Sequence, residues 1–165
     1  MPFETATERT RRELLGGGTA LAAILADSSS QVLAKDYASS REALDDLDRL
    51  ASLCAMRLGA VGRARASADV LVSRFLASLG RHRSTRDEVR RRLGLPGGAG
   101  QVPEDGAAEA DLSGLRQALD DLMIAYAESL PVLGDATAVS RLAIDMVEVS
   151  RLRTVIDLWV VAEEA

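Results

Sequence analysis

Arg153 and Asp157 stand four residues apart in the last third of the sequence, inside a run whose apolar positions recur every three or four residues. At 100° per residue, Leu142, Met146, Val149, Ile156 and Val160 share a face with them. Charged groups on an apolar face are costly unless paired. Two chemistries fit. One is an Arg153–Asp157 ion pair at the end of a bundle or at a subunit contact. The other is a polar pocket in which Arg153, Asp157 and Tyr126 bind a small anion or position a proton. Arg141 with Asp145 and Glu148 with Arg151 fall off that face and read as ordinary surface pairs.

A second concentration of charge is Arg81, His82, Arg83, Arg86, Arg90, Arg91 and Arg92. As a unit it would dock an acidic protein partner or phosphates. The plainer reading is a solvated helix face in a chain that uses arginine throughout, Lys35 being its only lysine. No aromatic side chain is interleaved and the net charge is -5, so nucleic acid is a disfavoured partner. His82, set among cations, is a poor ligand.

The remaining chemistry-bearing residues mostly exclude. A single cysteine permits neither an internal disulfide framework nor a cysteine-rich zinc site. Cys54 lies on an apolar seam and reads as a buried, inert thiol. A single histidine, with no Glu-x-x-His pair, argues against a carboxylate-bridged di-iron centre. Gly16 to Gly18 ahead of Thr19 suggest a phosphate cradle at a helix start, but the lysine and the spacing of a P-loop are missing. No cofactor and no metal is implied, and no catalytic constellation emerges. No apolar run reaches the roughly 18 residues that a membrane span needs.

Arg11 and Arg12 precede Leu14-Leu15, three glycines and the run Thr19 to Ala26, and Leu14 to Ala26 carries no charge. This stretch resembles a twin-arginine export signal, which would imply a bacterial chain sent to the cell envelope and cleaved between Ala23 and Ser29. Glu4, Glu8 and Glu13 dilute the positive charge such a signal carries. The other reading is an N-terminal helical segment with a glycine break, in a cytoplasmic protein. Residues 1–30 are therefore set apart from 31–165, which hold enough apolar sequence for one domain.

The elements that position these residues are helices. Aromatics make up only 3% of the chain, so Leu, Val, Ile and Ala must build the core, and no row of alternating strands is visible. The Ser39-x-x-Glu42 capping box opens a helix whose seam is Leu44, Leu47, Ala51, Cys54 and Leu58, expected to end near Gly59. A second helix, with Ala64, Ala68, Leu71, Phe75 and Leu79 inward, is expected to stop at Gly80. Thr85-x-x-Glu88 then opens a short arginine-rich helix ending at Gly94, before a flexible loop over about 95–108. Leu112, Leu115, Leu119, Leu122, Tyr126 and Leu130 mark the next helix. The last, Asp135 to about Glu163, is apolar on nearly every side and is expected to be surrounded by other helices. At 1.5 Å per residue it would span on the order of 40 Å.

The expectation is an all-α, up-and-down helical bundle of four main helices, with the short arginine-rich helix and the N-terminal segment added. The function expected is non-catalytic: an accessory or scaffold protein working through helix-to-helix contact, as an oligomer or with a protein partner. The Arg153, Asp157 and Tyr126 pocket is the competing expectation.

Overall fold

The computed structural model describes residues 37–65, 69–98 and 111–164, all within the compact unit Ala34–Ala165. The N-terminal export-signal reading and most of the 95–108 loop lie outside these residues. The described elements are helices: α1, Ser40–Ala64; α2, Asp69–Arg92; α3, Leu112–Ser129; and α4, Ala136–Glu164. A single 3-10 turn, Leu130–Val132, joins α3 to α4, and there is no strand among the described residues.

Local chemistry sets the helix starts. Ser39 caps α1 by accepting from the Glu42 amide at 3.2 Å, while the Glu42 carboxylate accepts from the Ala38 amide at 3.0 Å. Asp111 caps α3 by accepting from the Ser113 and Gly114 amides at 3.0 and 2.8 Å. Asp135 does the same for α4 through Ala138 at 2.8 Å, and Gly134 supplies the left-handed backbone just before it, at φ 65°.

Helix α1 continues past Gly59 to Ala64. Gly62 is the close-approach glycine: a Cβ there would sit 2.7 Å from Val72 Cγ1. The expected stop at Gly80 is also overturned, because α2 runs unbroken to Arg92 and absorbs the separate arginine-rich helix. The capping residue proposed for that helix, Thr85, donates its hydroxyl back to the Arg81 carbonyl at 3.3 Å, as a residue inside a helix does. One glycine in a helix interior costs roughly 1 kcal/mol, which packing of the whole helix readily offsets. The true end follows Arg92, where Gly94 takes φ 66° and the Leu95 amide donates to the Arg90 carbonyl at 2.9 Å.

Helix α1 packs against α2 and α3, and α4 packs against the same two. Between them lie Leu44, Leu47, Leu58, Leu115, Leu119, Leu122, Leu142 and Ile156, all fully buried. Burying a side chain of this size contributes about 1.5–3 kcal/mol. The expectation that α4 is covered on every side is corrected. Ile144, Leu158 and Val161 are 61%, 65% and 63% exposed, because they point away from the two helices that α4 touches.

Candidate functional site

The densest polar chemistry is inside the molecule, along the inner face of α2. His82, Arg86 and Arg90 recur every four residues on the face that also carries Val72 and Leu79, and all five are buried. Arg86 donates through Nε to Asp48 of α1 at 2.6 Å and through Nη1 to the Tyr126 hydroxyl of α3 at 3.1 Å. Arg90 donates to the other Asp48 oxygen at 2.7 Å and lies 2.8 Å from Asp45. Asp48 is thus clamped at both oxygens by two guanidinium groups. Burial lowers the proton affinity of Arg86, but Tyr126 and Asp48 outweigh it, and the guanidinium stays charged. Burial also lifts the Tyr126 phenol to about 12 against the pull of Arg86, so Tyr126 is a neutral hydrogen-bonding group.

One turn away, His82 Nε2 donates to Glu148 at 3.0 Å, and the Ser78 hydroxyl also donates to Glu148. Asp145 of α4 approaches the same nitrogen at 3.7 Å. Serine, histidine and acid are the ingredients of a nucleophilic triad, but their arrangement is wrong for one. A triad places the acid on Nδ1 so that Nε2 is free to take the serine proton. Here acid and serine converge on Nε2, while Nδ1 is buried with no hydrogen-bond partner. The group cross-links α2 to α4 and offers no activated nucleophile.

Two carboxylates in this region titrate in opposite senses. Desolvation raises Asp145 above the ordinary 3.8, and the nearby His82 and Arg86 only partly offset it. The hydrogen bonds from Ser78 and His82 hold Glu148 below its ordinary value.

The residues singled out in the sequence are divided by the structure. Arg153 and Asp157 do pair, and the pair is extended by Arg153 Nε donating to Asp120 at 2.9 Å and by Arg116 lying 3.0 Å from Asp157. Both members are about a quarter exposed, so the group is a half-buried clasp between α3 and α4. Tyr126 is engaged by Arg86 instead, and no contact joins it to Arg153 or Asp157 among the described residues. The arginine patch splits likewise. Arg81, Arg83, Arg91 and Arg92 face outward, with Arg92 bound to Asp135 at 2.8 Å, whereas Arg86 and Arg90 are 2% and 1% exposed. Those two cannot belong to a surface patch, because Asp48 and the α2 packing hold them inside. The expected surface pairs Arg141–Asp145 and Glu148–Arg151 do not form among the described residues: Asp145 and Glu148 both turn toward His82, and Arg141 pairs with Glu88 of α2. A usable signal existed: Val72, Leu79, His82, Arg86 and Arg90 keep one helical phase straight across Gly80.

Cys54 is fully buried, its thiol donating to the Ala118 carbonyl at 3.2 Å, and burial lifts its pKa to about 12. Among the described residues no group of three or more His, Cys, Asp and Glu side chains is placed to hold a metal ion, and no helix is long and apolar enough to cross a membrane.

The most accessible unusual feature is the outer face of α4. Ile144, Val147, Leu158 and Val161 stand exposed along it, with Arg151 and Thr154 between. The outer faces of the other helices are mostly polar, with Arg41, Glu42 and Arg49 on α1, Arg74, Arg83 and Asp87 on α2, and Ser113, Arg116 and Gln117 on α3; Val70 at the start of α2, 76% exposed, is a single apolar side chain rather than a row.

Compared with known protein families, curated proteins and solved structures, the chain matches none significantly.

Proposed function

We propose that this chain is a non-catalytic accessory or scaffold protein that works through helix-to-helix contact and assembles with another protein chain. The observation that carries the reading is the exposed apolar face of α4, with Leu158 at 65% and Ile144 at 61% exposure. Large apolar side chains gathered on one face of an otherwise mostly polar surface mark an interaction site. The internal polar groups support the same reading, since Asp48, Arg86, Arg90 and Tyr126 are hydrogen-bonded to one another between the helices. The outward Arg81, Arg83, Arg91 and Arg92 would add a smaller cationic surface suited to an acidic stretch of the partner.

The helix directions that fit are up, down, down, up, a bundle in which α2 and α3 run the same way, rather than the alternating up-and-down order expected. Ser40 at the start of α1 reaches the Val132 carbonyl beyond α3, and Cys54 further along reaches Ala118 earlier in α3. Asp48 of α1 meets Arg86, while Gly62 approaches Val72. Ser78 meets Glu148 and Arg92 meets Asp135; Asp120 meets Arg153 and Arg116 meets Asp157. In each of these four neighbouring pairs, later positions on one helix oppose earlier positions on the other, so α1 and α4 share one direction and α2 and α3 share the opposite one. The small-anion pocket of Arg153, Asp157 and Tyr126 is the weaker reading, since Tyr126 is bonded to Arg86 while Arg153 and Asp157 are taken up by each other, Asp120 and Arg116.

Native mass spectrometry on the full chain, isolated from its source with whatever accompanies it, tests the proposal. The expected mass is that of an assembly containing more than one protein chain. A lone chain carrying only a small anion would overturn the proposal in favour of the pocket.

A further inference from the structure

Along α4 the exposed positions Ile144, Val147, Arg151, Thr154, Leu158 and Val161 follow steps of three, four, three, four and three. This is the spacing of a coiled-coil seam, in which residues at a and d face a partner helix. On an isolated surface helix those positions would be polar. Here four of the six are aliphatic, and between Ser140 and Val161 the only other exposed residue is Arg141.

The six positions are also symmetric about the peptide bond between Leu152 and Arg153. Turned end for end, the seam reads aliphatic, aliphatic, polar, polar, aliphatic, aliphatic again. We propose that the outer seam of α4 pairs with α4 of a second copy of this chain, antiparallel, with Ile144 against Val161, Val147 against Leu158 and Arg151 against Thr154. The proposal rests on the interaction reading above and specifies its partner.

Charge selects the orientation. Arg151 is the only charged residue among the six. A parallel pairing in register would set Arg151 against its own copy, and like charges face to face repel. The antiparallel pairing sets each Arg151 beside a Thr154 hydroxyl, with the long stem free to carry its head to the rim. A single polar layer inside an apolar seam fixes register at some expense of stability. The contact is isologous: each copy presents the same patch, so pairing closes at two and leaves no apolar seam uncovered.

Size sets the strength. From Ile144 to Val161 the seam rises about 26 Å at 1.5 Å per residue. One pair of helices over that length lies toward the low end of specific interfaces, so the dimer is concentration-dependent, with Kd on the order of micromolar.

Sedimentation equilibrium on the full chain from about 1 to about 200 µM brackets that range. The mass is expected to climb from one chain toward two. Leu158→Glu should move that rise at least tenfold higher in concentration, with helical circular dichroism unchanged and melting unchanged well below the Kd, where neither chain is paired. Orientation is read by cross-linking, which Cys54 does not disturb because it is buried. Ile144→Cys mixed with Val161→Cys should form a disulfide-linked pair, and Ile144→Cys alone should not. A one-chain mass at the highest concentration overturns the proposal, as does association left unweakened by Leu158→Glu or self-cross-linking of Ile144→Cys. A native assembly holding a different protein and only one copy of this chain would remove the self-pairing while leaving the interaction reading in place.

Discussion

Helix α2 turns Arg86 and Arg90 into the interior, whereas its neighbour α4 turns Ile144 and Leu158 out to solvent. Each departs from the usual amphipathic division, in opposite directions. The departure in α2 is resolved largely within the chain, because Asp48, Asp45 and Tyr126 pair with the arginines and leave only the Arg90 Nε buried without a hydrogen bond. That in α4 has no resolution among the described residues, since nothing apolar covers the seam. Buried charge with partners is a matter of internal register, while exposed apolar surface calls for something outside.

The largest effect should come from removing the shared partner on the inner side. Asp48→Leu leaves Arg86 buried with no bonded carboxylate and Arg90 with Asp45 alone, and should cost about 3–5 kcal/mol or prevent folding. Replacing Asp48, Arg86 and Arg90 together by leucine should recover much of that loss. Leu158→Ser on the outer side of α4 should stay within about 0.5 kcal/mol. Urea denaturation compares all three. If Asp48→Leu unfolds like the unmodified chain, the arginines are solvated and the contrast between the two helices disappears.

Smaller effects sharpen the account of α2 as one continuous helix. A Cβ at Gly80 would have open space, so Gly80→Ala should stabilise by about 0.5–1 kcal/mol through the unfolded chain and helix propensity. At Gly62 the same change meets Val72 and should destabilise by about 1–2 kcal/mol despite the better helix former. Thermal melts of the two variants should move in opposite directions. A destabilised Gly80→Ala would mean that α2 needs a break there.

The smallest effect lies in pH dependence, where the two acids of α4 facing His82 should oppose each other. The raised Asp145 binds its proton more readily folded than unfolded, so it adds stability as pH falls from its elevated folded pKa toward the ordinary 3.8. Glu148, held low, contributes stability above its ordinary pKa and loses it as pH falls through its lowered folded value. Asp145→Asn should therefore raise stability at neutral pH and steepen the loss on acidification. Glu148→Gln should make that loss shallower. Denaturation midpoints between about pH 3 and 7 read both slopes, and parallel profiles would show that neither acid senses its neighbours.

Much of the fold was legible because periodicity is a statement about burial. The seam Leu44, Leu47, Ala51, Cys54 and Leu58 is buried as its spacing required, and so are Leu112, Leu115, Leu119, Leu122 and Tyr126. The Ser39 and Glu42 capping signal marks a real helix start. Gly80 misled, because glycine is only a weak helix breaker when residues on both sides pack in one phase. The Arg153–Asp157 pair, one of the two chemistries their spacing allows, forms because four residues on a helix bring them together whatever lies around them. Tyr126 was assigned to the wrong cluster, because its partner Arg86 is 40 positions away and no local spacing encodes that contact. The outer seam of α4 was in plain view, but the sequence does not say how many neighbours a helix has.

Cys54 gives the molecule its own clock. It is the only thiol in the chain, fully buried between α1 and α3, and its proton is held until about pH 12. A thiol reagent reacts with the exposed thiolate, so labelling of the folded protein must wait for α1 and α3 to separate. At reagent concentrations where labelling outpaces reclosing, the rate at which label accumulates under native conditions is the frequency of that opening. No other residue in the sequence reports in the same channel, and the fold can be timed without altering it.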